Sequence, residues 1–85
     1  MKQRPAHTLW LDVIRQLTAK PGVSQNLLAR YLQVDKGYLS RLLHDPDQLE
    51  AFMSRYPDRQ RLKLLFDALE DDRKLAEVVR EALAR

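Results

Sequence analysis

Residues 23–44 read VSQNLLARYLQVDKGYLSRLLH, and this stretch decides the fold. It divides into two short helices, each opened by a polar residue flanked by a valine. Ser24 can accept a hydrogen bond from a free N–H of the opening turn, and Val23 and Leu28 around it have the spacing of a hydrophobic staple. Asp35 repeats the arrangement, with Val34 and Leu39 at the same offsets. The first helix must therefore stop, turn and hand over within residues 31–34. If the two helices cross, Leu28, Leu32, Leu39 and Leu42 face inward, and Ala29 is small enough to let them approach closely.

Two short crossing helices with a tight turn make the helix-turn-helix of DNA-binding proteins. Residues 25–42, QNLLARYLQVDKGYLSRL, resemble that unit in lambda-repressor/Cro-like proteins: the opening Gln25, the small Ala29, and the apolar Leu28, Leu32, Val34, Leu39 and Leu42 match. The resemblance puts Ser40 and Arg41 where that family usually reads DNA. One position departs from it. The family favours glycine at the turn position held here by Gln33, and a residue with a Cβ enters the left-handed region at a cost, so the turn is expected to be strained or shaped differently.

A helical count of the second helix adds to this. Lys36, Ser40 and Arg41 fall near one face, opposite Leu39, Leu42 and Leu43, and Gly37 between them would let the backbone approach a groove. The expected base-reading set is Lys36, Gly37, Ser40, Arg41 and His44. The expected phosphate contacts are Ser24, Gln25, Asn26 and Tyr38, since helix N-termini suit anions.

Outward from this stretch, residues 1–7 carry Lys2 and Arg4 without apolar periodicity and read as a flexible basic arm or a frayed terminus. Thr8 is the expected cap of a first helix reaching about Ala19, with Trp10, Val13, Ile14 and Leu17 as its stripe; Lys20-Pro21-Gly22 ends it. After the second helix of the central pair, Asp45 caps, Pro46 takes the first helical position, and Leu49, Phe52, Met53 and Tyr56 form a stripe that Pro57 stops. Asp58 caps a helix with Leu62, Leu65, Phe66 and Leu69 on one face. Glu70-Asp71-Asp72 suits a helix N-terminus better than a C-terminus, which predicts a break and a last helix over residues 73–84 with Leu75, Val79, Ala82 and Leu83 as its stripe. No proline or glycine forbids a continuous helix there.

Composition narrows the function. Net charge is +3, but residues 1–44 hold seven basic and two acidic side chains, while residues 45–85 hold eight and ten. The half containing the central pair is the half an anion attracts. The chain has no cysteine, two histidines far apart and two isolated glycines, so neither a metal site, a phosphate-cradling loop nor a catalytic constellation is evident, and no cofactor or small-molecule ligand is expected. The carboxylates Asp45, Asp47, Asp58, Asp71 and Asp72 are read as helix caps. No apolar run approaches membrane-spanning length, which sets a cytoplasmic, nucleoid-associated protein as the expectation.

These readings combine into an all-α bundle of five or six short helices. Residues 8–70 form the DNA-binding domain, and residues 71–85 a dimerisation helix through Leu75, Val79 and Leu83. The function expected is a sequence-specific, non-enzymatic repressor of phage or plasmid type, binding double-stranded operator DNA as a homodimer. With no sensor domain evident, its own concentration would control it. The alternative is a helical protein–protein adaptor, antitoxin-like or polymerase-binding, in which the helix pair is structural.

Overall fold

Short polar residues punctuate the chain into helices. The computed structural model describes residues 9–84. They form α1 (Trp10–Thr18), α2 (Gln25–Leu32), α3 (Lys36–Leu43), α4 (Pro46–Ser54), α5 (Arg59–Ala68) and α6 (Asp72–Leu83), with no strand among the described residues. Five of the six are opened by a local side chain. Ser24 accepts from Leu27 N–H at 3.0 Å, Asp35 from Gly37 at 2.8 Å, and Asp45 from Gln48 at 3.4 Å. Asp58 accepts from Arg61 N–H at 3.1 Å and Asp71 from Arg73 N–H at 2.9 Å. Asp47 and Asp72 are not caps; they lie within the first turns of α4 and α6, where a negative charge still favours the helix dipole.

The start of α1 is different. Thr8, like residues 1–7, lies outside the described residues, and the residue preceding α1 is Leu9, which has no capping side chain. Glu50 of α4 takes the role instead: its carboxylate accepts from the Trp10 N–H, forty residues away in sequence. A cap supplied by tertiary packing also ties α1 to α4.

The core is built on α2, whose Leu27, Leu28, Ala29, Tyr31 and Leu32 are all buried. α3 and α6 pack on α2; α1 packs on α4 and α5, and α5 on α6. Trp10 belongs to this core, its ring 5.0 Å from Phe66. Tyr56 lies beyond the end of α4, half-buried, and its hydroxyl donates to the Leu32 carbonyl at 2.9 Å.

The chain does break before Asp72 and restart as α6. However, the stripes from Trp10 to Leu69 do not close the core by themselves. Val78 and Ala82 of α6 are fully buried in the same cluster, so the last helix completes the hydrophobic core. The expected stripe of Leu75, Val79 and Leu83 falls on the flank and outer side of α6; Leu75 and Val79 are half-buried and Leu83 is 61 % exposed. No described helix is long and apolar enough to cross a membrane.

Candidate functional site

Three residues, 33–35, separate α2 from α3. Gln33 takes the left-handed conformation, φ 63° and ψ 41°, and it alone among the described non-glycine residues has a positive φ. The backbone closes α2 with a Schellman pair: Val34 N–H donates to the Ala29 carbonyl at 3.0 Å and Gln33 N–H to the Arg30 carbonyl at 3.1 Å. The turn is therefore shaped as a glycine turn, with glutamine in the glycine's place.

That turn aims α3. Leu39 and Leu42 are buried against the core, which leaves Gly37, Ser40, Arg41 and His44 along the opposite side, with Lys36 at the first turn. Lys36, Arg41 and His44 are exposed, and Gly37 and Ser40 half-exposed. Gly37, Ser40, Arg41 and His44 thus share one outward surface, whereas Lys36, about 140° around the helix from Arg41, lines a groove with Asn26, Ala29 and Arg30 of α2. His44 is pinned on the outward surface, with Nδ1 2.8 Å from the Ser40 carbonyl. A carbonyl only accepts, so this contact puts a proton on Nδ1, and in the neutral tautomer that fits it the acceptor is Nε2.

Gly37 has a local role that the sequence did not reveal. A Cβ there would stand 2.9 Å from the Asp35 carboxylate oxygen that caps α3, so the cap itself favours glycine. Tyr38 is 39 % exposed and packs edge-on to Phe52 at 5.9 Å; Phe52 in turn meets Tyr56 at 5.6 Å. The Arg41 guanidinium lies 5.9 Å from the Tyr38 ring centroid. Tyr38 therefore flanks the outward face of α3 and is buttressed by α4. Ser24 and Asn26 are exposed and Gln25 half-exposed at the start of α2, with the Ser24 hydroxyl engaged as the cap.

Charge is arranged unevenly. The four ion pairs among the described residues, Asp58–Arg61, Arg61–Glu81, Lys63–Asp67 and Lys74–Glu77, all lie in α5, α6 and the cap of α5. Lys36 and Arg41 join none of them, and the first turns of α2 and α3 contain no acidic residue.

A second polar cluster, which the sequence did not single out, joins α2, α5 and α6. Arg61 stacks 4.7 Å over the Tyr31 ring and donates to the Tyr31 carbonyl at 3.0 Å, while the Tyr31 hydroxyl donates to the Arg61 carbonyl at 2.8 Å. Burial pushes the Tyr31 hydroxyl up to about 12, against the lowering effect of the adjacent guanidinium. Every polar group of this pair is satisfied within the fold, so its role is structural.

No family model, no curated protein and no solved structure matches the chain.

Proposed function

We propose that this protein is a sequence-specific DNA-binding repressor that acts as a homodimer on a double-stranded operator, with α3 lying in the major groove. The observation that carries the reading is the outward side of α3: a guanidinium, a hydroxyl and an imidazole held at Nδ1 by the Ser40 carbonyl, with the Lys36 ammonium at the start of the helix, neither cation having an ion-pair partner among the described residues. Each group has a chemical counterpart on base edges. Arg41 can fork onto guanine O6 and N7, Ser40 can donate or accept, and His44 with its proton on Nδ1 can accept from an exocyclic amine through Nε2. Lys36 and the N-terminal turn of α2, with Ser24, Gln25 and Asn26, suit phosphates. Tyr38 sits at the edge, where its hydroxyl can reach the backbone and its ring supports Arg41.

One helix reads too few base pairs for specificity, which calls for two copies about one helical turn, roughly 34 Å, apart. Repression, rather than activation, rests on the likeness of residues 25–42 to lambda-repressor/Cro-like proteins, as does residence at the nucleoid.

Selection of bound duplexes from random DNA, followed by Arg41→Ala, tests the reading. The substitution should cost about 1–3 kcal/mol on the selected site and relax preference at one position per half-site. An equal loss on selected and random DNA would move Arg41 to phosphate contact. Affinity should also fall steeply with salt; duplex binding absent even at low salt would turn the reading toward the protein–protein adaptor.

A further inference from the structure

α6 carries apolar residues on two sides. Val78 and Ala82 point into the core and are fully buried. On the other side Asp72, Leu75, Ala76, Val79, Arg80 and Leu83 line an open groove of about 740 Å³, which Pro21 and Gly22 of the turn before α2 also line. A lone chain rarely leaves a continuous apolar strip of this kind to water. The two charges are also incomplete. Lys74, Glu77 and Glu81 on the same helix have ion-pair partners, whereas Asp72 and Arg80 have none among the described residues.

We propose that this face binds a second copy of the chain, the two α6 helices packing antiparallel about a two-fold axis that passes Ala76. Asp72 and Arg80 stand two helical turns apart on the same side of α6, and Ala76 lies midway between them. In an isologous pair, whatever residue i meets, its counterpart meets in return. An antiparallel copy centred at Ala76 therefore sets Asp72 against the partner's Arg80 and Arg80 against the partner's Asp72. The small Ala76 at the crossing lets the helices approach, and Val79 beside it is covered by the partner helix, while Leu83 reaches past Asp72, the start of the partner's α6. A parallel copy would instead oppose like charges. The charge pattern of the groove is self-complementary in one orientation only.

This pairing supplies the two-fold on which the DNA-binding reading depends, but it rests on that reading only for its consequence, because self-association is measured without DNA. Two twelve-residue helices make a small interface, so the dimer is expected at roughly micromolar dissociation constant.

Sedimentation equilibrium of the full chain, over a concentration range spanning that value, should show a reversible monomer–dimer equilibrium. Asp72→Lys and Arg80→Glu should each weaken it at least tenfold while leaving helicity by circular dichroism in place. Mixed in equal amounts, the two variants should regain a dimer of wild-type affinity: the introduced lysine then faces the introduced glutamate, and the untouched Asp72 and Arg80 face each other. Val79→Asp, close to the axis and outside the fully buried core, should abolish the dimer while keeping the helical signal and a cooperative melt, and it decides the matter if Asp72→Lys disturbs the start of α6. A wild-type chain that is monomeric throughout, variants that dimerise as well as wild type, or a mixture that fails to recover would each overturn the proposal. A dimer that binds no duplex would overturn the DNA-binding reading and leave this interface standing. A strict monomer that binds single half-sites would do the reverse.

Discussion

Gln33 holds φ 63° with a Cβ, a conformation that costs an L-residue roughly 1–2 kcal/mol and costs glycine nothing sterically. Glycine in turn loses more conformational entropy on folding, which returns part of that difference. Gln33→Gly is therefore expected to stabilise the protein by up to about 1 kcal/mol, read as a rise of a few degrees in thermal melting. A lower melting temperature would show that the glutamine side chain stabilises the turn in some other way. Tyr31 gives a pH-dependent counterpart. Its hydroxyl is raised from 10.0 to about 12 by burial, so the folded chain keeps the proton while the unfolded chain gives it up. The contribution of Tyr31 is then whole below pH 10 and is lost as pH rises from 10 toward 12, at about 1.4 kcal/mol per pH unit. Denaturant melts at pH 9 and 11 should show a steeper loss for wild type than for Tyr31→Phe. The variant should start about 1 kcal/mol lower at neutral pH, having lost the bond to the Arg61 carbonyl. Parallel losses in the two proteins would mean that Tyr31 does not titrate in this range.

At the level of elements, stability depends on how each helix end is satisfied, and α1 is the exception because its cap comes from α4. Glu50→Ala removes a charge-assisted acceptor from the Trp10 N–H and a link between two helices at once, so it should cost about 1–2 kcal/mol. Glu50→Gln, which keeps an acceptor, should cost less. Chemical denaturation of both variants checks the order, and equal losses would assign the effect to packing rather than to the cap. The same contrast explains what the sequence made legible. Ser24, Asp35, Asp45, Asp58 and Asp71 sit beside the N–H groups they cap, so spacing locates the starts of α2 to α6 to within a residue, although it does not separate Asp45 from Asp47 or Asp71 from Asp72. Glu50 is invisible to that reasoning because its partner becomes adjacent only after folding. Arg61 was missed for the same reason: it reads as a surface cation, yet it joins Tyr31 on α2 to Glu81 on α6. On α3 the side carrying Ser40, Arg41 and His44 followed from the 3.6-residue period once Leu39 and Leu42 were placed inside, and the approach of Arg41 to Tyr38 is local to the helix at i, i+3, whereas the edge-on packing of Tyr38 against Phe52 required the tertiary arrangement. For α6 the period was legible and its direction was not. Ala82 of the expected stripe does reach the core, but Val78, which lies outside that stripe, accompanies it there, while Leu75, Val79 and Leu83 recur just as regularly on the other side, so the period alone does not say which side packs on α2 and α5.

For the molecule as a whole, α6 serves the monomer with one side and is free to serve a pair with the other, and adjacent valines separate these uses. Val78 is fully buried, so Val78→Ala should cost about 2–3 kcal/mol through lost burial and the cavity left behind. Val78→Asp would place an unpaired carboxylate in the core and should leave the chain unfolded at ambient temperature, as expected for a domain of marginal stability. Val79 is half-buried along the outer groove, so Val79→Asp should keep the helical signal and a cooperative melt while giving a monomer in solution. If operator affinity depends on two copies of α3 held at fixed spacing, that monomer should bind the selected site far more weakly while retaining the salt dependence of a single half-site. The two readouts separate the roles. Melting reports on the core face of α6, and mass with DNA affinity reports on the outer one. Equal destabilisation by Val78→Asp and Val79→Asp would place both faces in the monomer core, whereas a stable, fully dimeric Val79→Asp protein would place the contact between copies on another surface.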